Sequence, residues 1–384
     1  MVEKIHKIID GAYAFALYRL PFSDECHVVV QLSACPQAVR DMADLEDRCG
    51  FVMLPFHADG GHPVILISPE KEECIRLRTH GGTTSATTSA DCEADGSKDE
   101  DYSFYCQVFR KFHESLCAGE FEKLVLSRRK TLYAGDIDLV EVFLRACAAY
   151  PRMMVYMCFA PECGTWIGST PEILLAGCKS HYRTVALAGT MAINTPEDTA
   201  LHTVRWSEKN MLEQRIVADY VRERLRPYAC VIEEEGPYTS RAGQLLHLKT
   251  EFHFSSGWSR TDVEGSDSSG EPADEGKTAG NTCNMSGLIG SLHPTPAVCG
   301  LPQEKALRFI LENEGYDRSY YSGVVGMLNS KGETDLYVNL RCASVAPDGT
   351  ATLYAGGGLL PSSTVESEWA ETEEKLKTIL NVFR

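Results

Sequence analysis

The chain has 384 residues, enough for one large domain or two of ordinary size. Its formal net charge is −17, from 37 basic and 54 acidic residues, which argues against a nucleic-acid binder or a basic membrane-surface protein. No apolar run reaches the roughly 18 residues that a membrane span requires.

The N-terminal segment and the cysteines favour a cytoplasmic protein. The first apolar stretch is interrupted by Arg19, which does not match a signal peptide. The 15 cysteines are scattered without a Cys-x-x-Cys pair. We therefore interpret them as reduced thiols, mostly core residues, with weak support for a structural zinc site.

Composition divides the chain into segments. Residues 1–78 contain strand-like runs and no evident chemistry, and residues 79–101 form an acidic, low-complexity segment that we predict to be a mobile linker. Residues 102–384 begin with a predicted helix and contain the candidate functional residues. Residues 255–281 are a second acidic insertion with the composition of a mobile loop.

Two candidate acid–base groups lie at the starts of apolar strands. Lys123 opens one such strand, and Glu172 precedes another. A lysine in this position is more often a strand-end charge that reaches solvent, but a desolvated one could act as a base. The simpler interpretation of Glu172 is a strand-start cap or an edge charge.

A carboxylate lies within the apolar stripe of the predicted helix over residues 203–226. Glu213 is flanked in this stripe by Met211 and Leu212 as well as by later apolar residues. A buried carboxylate needs a cation, a metal ion or several donors as its partner. A functional site and a structural salt bridge are equally compatible with this placement.

Further candidates follow along the chain. The small residues Ala188, Gly189 and Thr190 end a predicted strand and could present backbone N–H groups to an anion. His247 lies inside a strand, where a satisfied core histidine is the more common case. Arg341 also lies inside a predicted strand, over residues 335–345, and needs an anionic partner.

The C-terminal segment joins a glycine run to a helix. Residues 356–358 are glycines, predicted to form a turn where backbone approaches another group closely. Glu368, Glu371 and Lys375 share one face of the following helix. This set suits a divalent cation with an anionic ligand, but a solvated acidic helix with an i, i+4 ion pair has the same pattern.

Short-linked hairpins that alternate with helices predict a single large α+β domain with antiparallel sheets and helices outside. No Rossmann glycine motif, phosphate loop or HExxH zinc motif is present.

Several segments, in this order, resemble the chorismate-utilising enzymes: FEKLVLSR, IGSTPEILL, ALAGT, WSEKNMLEQRIV, SLHPTPAVCG, EGYDRSYYSGVVG, LYVNLRCASV and LYAGGGLLPSSTVESEWAETEEKL. The resemblance implies two antiparallel β-sheets with flanking helices, with residues 1–78 as the variable part of that fold. Lys123 and the HPTPA segment at residues 293–297 resemble the isochorismate-forming branch. Gln214 departs from the family pattern, since many relatives have histidine there.

The resemblance also implies a role for each candidate. The substrate would be chorismate, the cofactor Mg²⁺, and the product isochorismate, which would feed menaquinone or catechol siderophore biosynthesis. The implied acid–base pair is Lys123 as general base and Glu172 as general acid. The implied metal ligands are Glu213 and Glu371, with Glu368 acting through water. The implied substrate contacts are Ala188, Gly189, Thr190, His247, Ala297, Arg341, Gly356 and Lys375.

Two alternatives stay open at this stage. A salicylate synthase would keep the lysine and go on to eliminate pyruvate. A catalytically silent chorismate-binding protein would bind without turnover. In each case we expect a monomer without an obligatory protein, nucleic-acid or membrane partner.

Overall fold

The computed structural model describes residues 1–34, 39, 42–77, 98–193, 201, 204–256, 284–329 and 332–384. Most of the predicted linker at 79–101 and of the predicted insertion at 255–281 lies outside these ranges. Within them, no helix is long and apolar enough to cross a membrane.

All seventeen described strands, numbered in chain order, belong to two antiparallel sheets. The first sheet has the order β13 (Gly300–Leu301), β6 (Lys123–Tyr133), β17 (Thr350–Leu359), β16 (Cys342–Val345), β8 (Gly164–Thr170), β7 (Met154–Ala160), β1 (Ala14–Arg19), β2 (Glu25–Gln31) and β5 (Lys71–Arg76). The second has the order β11 (Ala229–Ala242), β12 (Leu245–Ser256), β10 (His181–Ala192), β9 (Ile173–Cys178), β15 (Glu333–Val338), β14 (Val324–Asn329), β3 (Cys49–Leu54) and β4 (Ile65–Ile67).

Helices flank the sheets. They are α1 (Val2–Ile9), α2 (Lys98–Cys117), α3 (Leu139–Ala149), α4 (Glu208–Leu225), α5 (Met285–Leu292), α6 (Gln303–Asn313) and α7 (Val365–Phe383). Ser207 and Thr364 cap α4 and α7, since their hydroxyl oxygens accept from the N–H groups of Asn210 and Ser367. The predicted α+β class with two antiparallel sheets and flanking helices is thus confirmed.

The main core lies between the sheets. Large side chains from both of them are buried there, including Phe51, Tyr156, Trp166, Phe252 and Tyr337. A second apolar cluster packs α1, α3 and α7 on the outer face of the first sheet. Each fully buried large apolar side chain contributes about 1.5–3 kcal/mol, so the two layers fix the strands from which the polar candidates project.

Two predicted segment boundaries are wrong. Helix α2 begins at Lys98, so residues 98–101 are helical rather than linker. Glu100 and Asp101 lie in the first turn of this helix, where acidic side chains complement the helix dipole. Strand β12 continues through Ser255 and Ser256, so the second insertion does not begin at residue 255.

Two predicted local structures also differ. The strand predicted over residues 335–345 is two strands, β15 and β16, which belong to different sheets. The glycines at 356–358 do not form a turn, because they continue β17 and pair with Ser127, Leu126 and Val125 of β6. Glycine at these positions lets other groups pack closely against the strand. The local sequence does not distinguish such a glycine from one in a turn.

Candidate active site

A cavity between the two sheets collects most of the candidate residues. Strands of both sheets, α4 and α7 contribute to its wall. Its lining residues are Val125, Glu172, Leu187, Thr190, Glu213, His247, Ala297, Val298, Tyr321, Leu340, Arg341, Gly356, Gly358 and Lys375. The structure therefore brings together side chains that lie up to about 250 residues apart in the chain.

Lys123 lies directly behind this cavity. Its side chain is fully buried, so it is not a strand-end charge in solvent. The ammonium lies 2.8 Å from Glu213 Oε1, without the alignment of a regular hydrogen bond. A Cβ on Gly358 would overlap Glu213 Oε1 and lie 2.8 Å from Lys123 Cε, so only glycine leaves room for this pair.

Glu213 projects from the buried face of α4. That face is formed by Glu213, Gln214, Val217 and later residues, whereas the predicted stripe members Met211 and Leu212 are 38% and 46% exposed. Burial favours the protonated acid. The nearby ammonium groups of Lys123, Lys209 and Lys375 outweigh this effect of burial and hold the pKa of Glu213 below its usual value.

Two further carboxylates approach β17 from α7. A Cβ on Gly357 would lie 3.2 Å from Glu368 Oε2 and 3.6 Å from Glu371 Oε1. Glu368 is 1% exposed, and its Oε2 has no hydrogen-bond partner among the described residues. Burial, followed by repulsion from Glu371, raises the pKa of Glu368. This pair of acids therefore needs additional positive charge.

Lysines supply that charge in this structure. Lys209 pairs with Glu368, Lys375 Nζ lies 2.6 Å from Glu371 Oε1, and Lys123 pairs with Glu213. Within the described ranges, the oxygens of the three glutamates do not come within 4.8 Å of one another as a set. Their all-oxygen donor set and the unpartnered Glu368 Oε2 nevertheless fit a hard cation such as Mg²⁺.

His247 offers an acceptor to the cavity. Its Nδ1 lies 3.1 Å from the carbonyl of Gly189, which can only accept, so Nδ1 carries the proton. Burial, together with Arg341 and Lys375, lowers the pKa of His247 well below its usual value and keeps the ring neutral. The buried Nε2 has no partner among the described residues. It can therefore accept a hydrogen bond from a hydroxyl on a ligand.

Arg341 lies between β15 and β16, not inside a strand. Its φ is +49°, in the left-handed region, and its carbonyl accepts from the N–H of Ser169. The guanidinium is buried at the cavity, and no hydrogen bond from it to another described residue is found. A buried arginine without a paired acid is suited to bind a carboxylate on a ligand.

Glu172 is poised to hold a proton near neutral pH. Its side chain is buried, and burial raises its pKa to about 7 in spite of the opposing charges of Lys123, Arg341 and Lys375. A carboxyl group with this pKa can donate a proton to a leaving group.

The predicted anion loop is a bulge rather than a strand end. Strand β10 continues to Ala192, and its register with β12 shifts between Ala188 and Thr190, where Gly189 has φ +64°. The N–H of Ala188 already donates to Gln214 Oε1 at 3.0 Å. Of the predicted N–H donors, Gly189 and Thr190 thus remain the candidates for binding an anion.

Gln214 holds this bulge in place. Besides accepting from Ala188, its Nε2 donates to the Ala186 carbonyl at 3.1 Å and to Thr250 Oγ1 at 2.9 Å. The amide thus ties α4 to both strands of the bulge. Both polar atoms of the amide group therefore have partners.

Replacing Gln214 with leucine should lower the free energy of unfolding by about 1–3 kcal/mol, because buried donors and acceptors lose their partners. Urea unfolding followed by circular dichroism measures the change. The matched control is Gln244→Leu, which alters an exposed glutamine between β11 and β12. An equal effect of both substitutions would contradict the role given to Gln214.

Lys209 and Tyr321 are polar residues at the site that were not predicted from the sequence. Lys209 lies four residues before Glu213, and this spacing on a helix could have indicated it. Tyr321 reaches the cavity from the segment before β14, and a Cβ on Gly356 would lie 2.9 Å from its hydroxyl. Tyr321 belongs to the segment EGYDRSYYSGVVG, but no spacing or periodicity within that segment distinguishes it as a site residue.

The family and the relatives found by comparison with known proteins agree with one another. Residues 63–257 and 276–384 match the family described as chorismate binding enzyme. The chain is 30% identical over 270 residues to the isochorismate synthase EntC of Escherichia coli K12, covering 69% of this chain and 63% of EntC. It is 33% identical over 278 residues to the isochorismate synthase DhbC of Bacillus subtilis, covering 69% and 64%. These matches span less than two thirds of the relatives' own length.

Solved structures share the fold over nearly the whole chain. DhbC from Bacillus anthracis matches with a TM-score of 0.77 and 23% identity, covering 99% of this chain and 98% of that one. MenF from Escherichia coli, a menaquinone-specific isochorismate synthase, matches with a TM-score of 0.73 and 20% identity, covering 97% and 89%.

Proposed function

The chain belongs to the chorismate-binding enzyme family, and on this premise we propose that it is an isochorismate synthase. The observation that carries the proposal is Lys123, which is fully buried behind the cavity that Glu172 lines. A lysine at this position is what the resemblance to the isochorismate-forming branch implies. The names of the relatives EntC and DhbC support the same activity.

In the proposed reaction, water attacks C2 of chorismate and the C4 hydroxyl leaves. Lys123, reacting in its neutral amine form, takes a proton from the water as the new C2–O bond forms, and so gains the proton that Glu172 gives up. The two ring double bonds shift, and Glu172 gives its proton to the departing C4 oxygen. The products are isochorismate and one water, so atoms and charge balance.

The other residues bind and orient the substrate. Arg341 and Lys375 bind the enolpyruvyl carboxylate, and the backbone at Gly356 completes this contact. The bulge at Gly189 and Thr190 binds the ring carboxylate. His247 Nε2 accepts from the C4 hydroxyl, and Ala297 packs against the ring. These fixed contacts place the reacting carbon next to the acid–base pair.

We propose Mg²⁺ as the cofactor, bound by Glu213 and Glu371 with Glu368 nearby. When bound, it would supply positive charge that holds the ring carboxylate against the acidic protein. We further propose that the protein is a cytoplasmic monomer without an obligatory partner.

Product analysis tests the proposal. Purified protein is incubated with chorismate and Mg²⁺, and the products are separated by chromatography and identified by NMR. We expect isochorismate. Salicylate with pyruvate would instead identify a salicylate synthase, and binding of chorismate without any product would identify a silent binding protein.

The pH dependence follows from Glu172. Because this acid acts in its protonated form and its pKa is raised to about 7, kcat/KM should fall as pH rises above that value. The decline should approach about tenfold per pH unit. The Glu172→Gln variant should lose most activity, and its residual rate should lack this alkaline limb. An unchanged limb in that variant would show that another group is responsible.

A further inference from the structure

Three potential metal ligands lie together at the opposite edge of the first sheet. Glu25 and His27 are two residues apart on β2, so their side chains share a face. Cys74 of the edge strand β5 pairs directly with His27 across the ladder. The register of two neighbouring strands therefore places a carboxylate, an imidazole and a thiol on one surface.

The ligand atoms of these side chains are already close. One carboxylate oxygen of Glu25, one ring nitrogen of His27 and Cys74 Sγ all lie within 4.8 Å of one another. Glu25 and Cys74 are exposed and His27 is partly exposed, so an ion can reach them from solvent. No other group of this kind is found in the part of the chain that the structure describes.

Neighbouring residues hold the ligands in position. Tyr18 pairs with His27 from the other side, and the two rings stack with their centroids 4.9 Å apart. Arg76 lies opposite Glu25 but pairs with Asp24 at 2.8 Å. Glu25 is thus not held by this neighbouring cation.

The ligand types indicate which ion would bind. Nitrogen, sulfur and carboxylate oxygen together are the ligands of Zn²⁺, whereas Mg²⁺ and Ca²⁺ take oxygen only. Three protein ligands and one water would complete a tetrahedron. We propose that Glu25, His27 and Cys74 form a zinc-binding site, separate from the all-oxygen carboxylate cluster at the cavity.

Such a site would stabilise the sheet edge. Zinc would bind the Cys74 sulfur as a thiolate, the thiol proton would pass to the buffer, and the ion would join β2 to β5 through side chains. Binding to the folded chain alone raises the free energy of unfolding in proportion to the logarithm of the zinc concentration.

Cobalt substitution tests the site in the full-length chain. Co²⁺ is titrated into the reduced protein in excess Mg²⁺, and the near-ultraviolet absorption of a cobalt–thiolate bond is recorded. No cysteine lines the cavity, so Co²⁺ bound there cannot produce this band. We expect the band to saturate at one equivalent, to be displaced by Zn²⁺, and to disappear in Cys74→Ser.

Controls separate this site from other thiols. Cys230→Ser removes another exposed cysteine and should leave the band unchanged. His27→Gln and Glu25→Gln should each weaken binding by at least about tenfold, since each removes one ligand. All these variants should form isochorismate at the wild-type rate if the proposed function holds. A band that persists in Cys74→Ser, or is absent from the wild type, would overturn the zinc site whatever the enzyme's activity.

Discussion

The Lys123→Gln variant should lose about 10²–10⁴-fold in kcat for isochorismate formation, the range expected for removal of a general base. Chorismate binding should stay within about tenfold of wild type, because the amide leaves the substrate contacts in place. Glutamine gives Glu213 a polar neighbour, which limits the cost of leaving a buried carboxylate unpaired.

Rate and binding are measured separately for this variant. Isochorismate formation is followed by chromatography, and chorismate affinity by calorimetry. Lys130→Ala is the control, because Lys130 lies on the same strand but is only partly buried and lies far from the cavity. A near-normal rate in Lys123→Gln would show that Lys123 is not the general base. Its role would then be that of a structural partner of Glu213.

Removing either proposed metal ligand should have a similarly large effect. Replacing a residue that only hydrogen-bonds to a metal ligand lowers metal affinity or activity by about 10–100-fold. Replacing a ligand itself should have a larger effect, so Glu213→Gln and Glu371→Gln should each lower activity by at least about 100-fold. The double variant should be little worse than either single one, since both serve one ion. EDTA should abolish wild-type activity, and added Mg²⁺ should restore it.

Calorimetric titration with Mg²⁺ gives a readout that does not depend on turnover. Binding should be lost in both single variants and retained in Glu374→Gln, which removes one charge from a more exposed position of the same helix. Full activity in EDTA, or wild-type Mg²⁺ affinity in either single variant, would contradict the shared metal site. The lysine–glutamate pairs would then be the resting arrangement of these acids.

Part of this site could be predicted from local patterns. Helical periodicity alone placed Glu368, Glu371 and Lys375 on one face of α7, and α7 does bring them to β17. Periodicity also placed Glu213 on a buried face, although that face is rotated away from Met211 and Leu212. A helical stripe is about 100° wide, so its edge residues are the least certain.

Other features depend on pairing between distant segments. The close approach of Gly358 to Lys123 and Glu213 requires β17 to pair with β6, more than 200 residues earlier. In the sequence, Arg341 continues an apolar, strand-like run, yet the chain changes sheets there through a left-handed residue. Neither composition nor alternation encodes such a change of sheet, because both describe only sequence neighbours.

The reaction in H₂¹⁸O tests the central proposal most directly. If water adds at C2 while the C4 hydroxyl leaves, isochorismate formed in labelled water carries one ¹⁸O atom, bonded to C2. Mass spectrometry gives the number of labels, and the isotope shift in the ¹³C NMR spectrum gives their position. Unlabelled isochorismate, or no isochorismate from chorismate and Mg²⁺, would contradict water addition with Lys123 as the base.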